Sequence, residues 1–203
     1  NQVNELLDPI IQLHSSETLK LTFDILDNET TTYAYTFIHC NSNWEYSDLV
    51  QSEYLDGFFD NYINSYEYSF NTLSPYINYS TVFPNQEVQF KKSGNYIILI
   101  YDTENNIPII TKRFMVYEPL LDINMTVKKT TLAKDRDTKQ EIDFNISGHT
   151  NLNIIDPINE LKIIIQQNDN WNNIITNCKP SFMTNNILEY DYQGELSFLG
   201  GNE

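Results

Sequence analysis

Short apolar or alternating runs, each bounded by turn residues, recur through the first half of this chain at 10–13, 19–23, 33–39, 66–70, 76–83, 96–101 and 109–117. All are of strand size. In 19–23, Leu19, Leu21 and Phe23 fall on one side of an extended chain, and Lys20 and Thr22 fall on the other. Between the runs lie turn clusters such as Asp27-Asn28-Glu29, Phe83-Pro84-Asn85, Ser93-Gly94-Asn95 and Glu104-Asn105-Asn106. Alanine, the best helix former, occurs only at Ala34 and Ala133, whereas Tyr, Phe, Ile and Thr are plentiful. The pattern predicts an all-β fold whose first seven strands form an immunoglobulin-like or fibronectin-like sandwich. Ser93-Gly94-Asn95-Tyr96, leading into an apolar strand, is similar to the tyrosine corner of such sandwiches.

Glu118-Pro119 marks a boundary, because proline cannot donate to a strand ladder and stiffens a short connector. Beyond it the strand pattern restarts at 121–127, 141–146, 161–165, 174–177 and 187–192, with loops expected at 128–140 and 148–157. The expected organisation is two β-sandwich domains in tandem, 1–118 and 119–203. A length of 203 residues suits two sandwiches of about 100 residues each. The start at Asn1 and the stop at Gly200-Gly201-Asn202-Glu203 lead us to expect a processed N-terminus and an incomplete second domain.

Charge narrows the partners. The formal net charge is −16, and the twelve Lys and Arg are scattered singly or in pairs. With no basic stripe to neutralise phosphates, nucleic acid is excluded as a natural partner, and an anionic membrane surface repels the chain. No apolar run approaches the roughly 20 residues that span a bilayer, so the chain is not expected to be membrane-spanning.

No catalytic, metal-binding or cofactor-binding set emerges. His14, His39 and His149 lack metal-ligand spacing, and no GxSxG, Walker or GxGxxG pattern occurs. Cys40 follows His39, but neighbours on a strand point to opposite faces, so the two do not form a nucleophile–base pair. Cys40 and Cys178 permit one disulfide or two free thiols, and their spacing does not choose between them. Asp24 and Asp27, and Asp135 and Asp137, lack the Gly and distal Glu of a calcium loop and read as solvated carboxylates.

One segment breaks the rhythm. Twenty-six residues separate His39 from Tyr66, long for a sandwich connection. They carry Trp44, Tyr46, Tyr54, Phe58, Phe59 and Tyr62, together with Leu49, Leu55 and Ile63. The simpler reading folds most of these side chains back as a satellite core, since large exposed aromatic patches are rare on monomers. The sharper reading leaves the outer ones exposed as anchors of a protein interface, where Trp and Tyr dominate binding energy.

The run from Ile38 to Thr72, IHCNSNWEYSDLVQSEYLDGFFDNYINSYEYSFNT, followed by Phe83-Pro84-Asn85, SGNYIILIY from Ser93 and TKRFMVYEP from Thr111, resembles the type IX secretion system plug protein family of Bacteroidetes. Its hallmark series is matched by His39, Cys40, Trp44, Glu53, Tyr54, Leu55 and Gly57, then by Ser93-Gly94-Asn95-Tyr96 and Arg113-Phe114-Met115-Val116. The second half aligns more loosely, through Asp135-Arg136-Asp137-Thr138 and 140–144. The resemblance implies a non-enzymatic periplasmic protein. Its partner would be the large outer-membrane translocon barrel of the SprA or Sov type, whose periplasmic opening it closes when no cargo is being exported. It also implies a full-length protein about twice this size.

Two other uses of a β-sandwich compete. A carbohydrate-binding or adhesion module would display a flat row of exposed Trp and Tyr, and only Trp44 and Trp171 are present. A glycoside hydrolase would hold two carboxyls in a deep pocket.

Overall fold

The computed structural model describes residues 9–191 and 194–201. Tyr192, which ends the expected strand 187–192, and Asn1, Asn202 and Glu203 lie outside the described residues. The fold is all-β, and the described residues include two α-helices of one turn each, α1 (Gln51–Tyr54) and α2 (Pro157–Glu160). Two compact units divide the chain, Asn1–Glu118 and Pro119–Glu203.

Among the described residues, the first unit contains ten strands: β1 (Ile10–Gln12), β2 (Leu19–Ile25), β3 (Tyr33–Cys40), β4 (Leu55–Gly57), β5 (Asn61–Tyr62), β6 (Ser65–Tyr68), β7 (Ile77–Phe83), β8 (Val88–Phe90), β9 (Gly94–Asp102) and β10 (Ile107–Tyr117). One sheet has the order β1-β10-β9-β3-β5, a second the order β2-β7-β6, and β4 pairs with β8. Counting β2, β3, β6, β7, β9 and β10 as B, C, D, E, F and G reproduces the strand groupings of an immunoglobulin-type sandwich. Alternation decides the inward faces. Tyr33, Tyr35 and Phe37 on β3, Tyr96, Ile98 and Ile100 on β9, and Phe114 and Val116 on β10 share one core with Ile77, Tyr79 and Phe83 of β7. Phe37 lies at its centre, with ring centroids 5.1 Å from Phe83, 5.0 Å from Phe90 and 5.7 Å from Phe114.

The tyrosine-corner motif is built as its geometry requires. Tyr96 is fully buried, and its hydroxyl donates to the carbonyl of Lys92 at 2.7 Å. The turn after Phe83 contains a cis Phe83–Pro84 bond and is held by Asn85. The Asn85 Oδ1 accepts from the N–H of Glu87 and Val88 at 2.8 and 3.1 Å, and its Nδ2 donates to the Tyr35 hydroxyl at 3.0 Å.

The second unit contains β11 (Asp122–Lys129), β12 (Lys139–Ser147), β13 (Ile164–Gln167), β14 (Asn170–Thr176), β15 (Phe182–Met183), β16 (Ile187–Tyr190) and β17 (Ser197–Leu199). The main sheet runs β11-β12-β16-β15, with β17 joined to β12, while β13 and β14 form a separate hairpin. Its core is Ile142, Phe144, Ile146, Leu188, Tyr190, Leu196 and Phe198. The expected loop at 148–157 contains a short 3-10 helix, His149–Leu152, and the first residue of α2. Pro157 opens α2, as its fixed φ and missing N–H suit a first helical position.

Candidate functional site

The segment after β3, read in sequence as a long loop, is a folded clamp in the structure. It opens with a turn held by Asn41, whose Oδ1 accepts from the N–H of Asn43 at 2.8 Å and of Glu45 at 3.2 Å. Trp44 takes a left-handed backbone conformation (φ 66°), which turns its half-buried indole beneath the Arg113 guanidinium, 4.7 Å from the ring centroid. A cation over an indole face is held by the ring quadrupole.

His39 holds the clamp to the next loop. Its Nε2 lies 3.2 Å from the Ser93 carbonyl and its Nδ1 2.9 Å from the Ser47 hydroxyl. A carbonyl only accepts, so Nε2 is the donor to Ser93, and Nδ1 pairs with the Ser47 hydroxyl. Gly94 (φ 148°) permits this contact, because a Cβ there would stand 2.4 Å from Nε2. Cys40, on the opposite face, is buried, and burial raises its thiol above the ordinary cysteine range despite the Arg113 charge. Cys40 and Cys178 are both free thiols.

Glu53 caps α1 by accepting from the N–H of Val50 at 2.9 Å. The helix delivers Tyr54 into the core, where its hydroxyl donates to the Phe37 carbonyl at 3.0 Å and burial raises its pKa. Leu55 is buried beside it and pairs with Phe90 across β4 and β8. Gly57 ends β4 at φ 101°, where a Cβ would stand 2.0 Å from the Glu87 carbonyl oxygen. Only glycine allows that approach. Further on, Tyr101 donates to Asp60 at 2.9 Å. Burial and the Asp60 carboxylate push its hydroxyl up to about 12.

The six expected interface residues therefore separate. Tyr54 is core, and Trp44 is half-buried under Arg113. Tyr46, Phe58 and Tyr62 stand 69%, 67% and 60% exposed, with Phe59 at 38%. The sequence reading missed the exposed aromatics that follow, Tyr66, Tyr68 and Phe70. Their i, i+2, i+4 spacing was the available signal, since it puts all three on one face of an extended chain. Tyr66 and Tyr68 meet edge to face at 88°, which is not the flat platform that sugar stacking needs.

In the second unit, Glu141, Asp143 and Asp191 gather around the Lys128 ammonium, which lies 3.8 Å from Glu141 Oε1, 3.5 Å from Asp191 Oδ1 and in contact with Asp143. Burial alone would raise the Glu141 carboxyl. Donation from the Thr131 N–H and hydroxyl and from the Thr130 hydroxyl, at 2.7, 2.9 and 3.0 Å, outweighs it with the Lys128 charge and holds the group below its usual range. Asp143 moves the other way, raised mainly by burial and further by Asp191, against the Lys128 contact. Elsewhere in this unit an open cleft of about 400 Å³ is lined by Leu121, Ile123, Met125, Phe144 and Leu161. No helix among the described residues is long and apolar enough to cross a membrane.

Strand order and the clamp on β3 define the first unit as an immunoglobulin-type β-sandwich carrying a folded, aromatic-rich insertion. The profile of the type 9 secretion system plug protein 1st domain matches residues 1–118, and the chain belongs to that family. A crystal structure of a hypothetical protein from Parabacteroides merdae ATCC 43184 is similar over the whole of this chain, with 34% identity and a TM-score of 0.88. The chain spans 51% of that protein's length. A likeness to the NK cell receptor NKp44, covering 55% of this chain and 97% of that one at 13% identity and a TM-score of 0.25, is too slight to bear on the fold. No curated protein matches the chain significantly.

Proposed function

We propose that this chain acts in the periplasm as part of a plug that binds the type IX outer-membrane translocon barrel, of the SprA or Sov type, and closes its periplasmic opening when no cargo is exported. The observation that carries this reading is the family match over 1–118. The structure supports it in physical terms. A plug has to be rigid, and the first unit has an interlocked aromatic core and an insertion pinned by His39, Tyr54 and Gly57. Gating needs no bond chemistry. It needs only a difference in affinity between the empty and the cargo-engaged channel. Tyr46, Phe58, Phe59 and Tyr62, the expected anchors that the clamp leaves exposed, are proposed contacts, and Trp44 and Tyr54 shape the surface from beneath.

The test is affinity purification of the tagged full-length protein from detergent-solubilised outer membranes, followed by mass spectrometry. Stoichiometric recovery of a giant barrel protein, lost when cargo fills the channel, is the expected result. Recovery of the protein alone, or with polysaccharide, would overturn the reading.

A further inference from the structure

The end of the first sandwich opposite Trp44 and Tyr46 carries the most exposed large apolar side chains among the described residues of that unit. Leu26 is 80% exposed, Phe70 93% and Leu73 107%. Register brings them to one end. The β2–β7 ladder closes at Ile25↔Ile77, so Leu26 leaves β2 where the β6–β7 connection returns with Phe70 and Leu73. On β3 this is the Tyr33↔Asp102 end, whereas the turn bearing Trp44 and Tyr46 follows Cys40↔Asn95.

These tips are held in place. Ser69 N–H donates to the Tyr76 carbonyl at 2.9 Å, and the Thr72 hydroxyl donates to the Ser74 carbonyl at 2.9 Å. The β2–β3 loop is pinned to both sheets, through Thr31 N–H to the Tyr79 hydroxyl at 3.1 Å and Thr103 to the Thr32 carbonyl. Asp27 closes its own turn on Asn28 and Glu29. A preorganised apolar tip loses little freedom on docking.

The surrounding charge has one sign. Residues 21–90 contain ten carboxylates and not one Lys or Arg. Asp24, Asp27, Glu29 and Glu67 are exposed on the strands and loops that lead to this end. Anionic lipid is repelled by such a surface, and a second copy would bring like charge against like charge.

We propose that this end of the sandwich, with Leu26, Phe70 and Leu73 at its centre, is a protein-docking surface for an apolar patch framed by Lys and Arg. Resting on the plug reading above, that patch lies on the periplasmic rim of the translocon barrel and is a second contact, separate from the one at Tyr46, Phe58, Phe59 and Tyr62.

The experiment repeats the barrel co-purification with full-length protein carrying Leu26→Ser, Phe70→Ser and Leu73→Ser together. A second variant carries Asp27→Asn, Glu29→Gln and Glu67→Gln, and a third carries Tyr46→Ser and Phe58→Ser. All substituted side chains are exposed, so an unchanged melting temperature is expected and is checked. Barrel recovery should fall at least tenfold for the apolar variant. It should fall several-fold for the charge variant, and likewise for wild type when salt rises from about 0.15 to 0.5 M. The Tyr46/Phe58 variant should lose less than the apolar one. Full recovery of the apolar variant, or recovery indifferent to both salt and the charge variant, overturns the docking surface and leaves the plug reading standing. Failure of the wild-type protein to recover the barrel overturns both. Loop-dependent binding to phosphatidylglycerol vesicles, or loop-dependent dimerisation in sedimentation, also overturns the assignment.

Discussion

The two units solve the same problem, burying the faces of β-sheets, in different ways. Among the described residues, the first joins two sheets and a clamp around eighteen buried apolar side chains, nine of them Tyr or Phe, from Ile11 to Val116. In the second, seven buried side chains form the corresponding cluster among the described residues. Its inward face stays open along β11. Ile123 and Met125 pair with Ile146 and Phe144, and so share the core side of the sheet, yet they are 62% and 60% exposed. The second unit also buries a charge, Glu141, at 0% exposure. A core built from large interlocking rings tolerates an exposed acidic exterior. A smaller core makes each buried group, polar or apolar, a larger share of its stability.

That contrast can be broken or sharpened by mutation, with one tryptophan in each unit as a local reporter, Trp44 and Trp171. Phe37→Ala should cost about 4 kcal/mol and Leu188→Ala about 3 kcal/mol, the range for emptying a fully buried site. In urea titrations of single-tryptophan variants, Leu188→Ala should abolish the Trp171 transition and leave the Trp44 transition in place. Equal shifts in both signals would mean that the units unfold as one block, and the comparison would collapse.

A smaller effect, about 2 kcal/mol, is expected from Glu141→Gln, which replaces a buried carboxylate accepting three hydrogen bonds. The Glu141 pKa is held below its usual range in the fold, so its contribution is fully present above the unfolded carboxyl pKa of about 4.3. It is lost as pH falls through the lower folded value. The stability gap between wild type and Glu141→Gln, measured at the Trp171 transition, should therefore be constant at neutral pH and narrow in acid. Asp143 has the opposite sign. Its raised folded pKa opposes folding at neutral pH, and that cost lifts as pH falls through the folded value. Asp143→Asn should therefore be milder than Glu141→Gln at pH 7.

The smallest predicted loss belongs to Tyr96→Phe. It removes one hydroxyl bond to the Lys92 carbonyl while keeping the ring stacked on Phe114, and should cost about 1 kcal/mol at the Trp44 transition.

Strands long enough to show a period were legible in the sequence. Leu19, Leu21 and Phe23 do face inward, and Lys20 and Thr22 outward. Apart from β1, strands of two or three residues were not legible. β4, β5, β8 and β17 exist because distant partners hold them, as Phe90 holds Leu55 and Glu141 holds Ser197. Exposure within the clamp was equally hidden. Tyr46 and Tyr54 are the same residue type in the same aromatic segment. Only the Glu53-capped turn and the Phe37 carbonyl make Tyr54 core, while Tyr46 faces solvent. The motif residues His39, Gly57, Gly94 and Tyr96 turn out to fix backbone geometry, so a sequence signature that pointed to a function is written largely in residues that hold the fold.

The parallel pairing of β1 with β10 has a mechanical consequence. Ile10, Ile11 and Gln12 lie in register with Met115, Val116 and Tyr117, the last of these two positions before Pro119. Tension applied ahead of β1 and beyond β10 pulls the two strands along their length in opposite directions. The bonds between them are then sheared together and cannot unzip one by one. Forced opening is governed by the unfolding barrier, so this three-residue seam sets how hard the two ends must be pulled apart before the first sandwich yields.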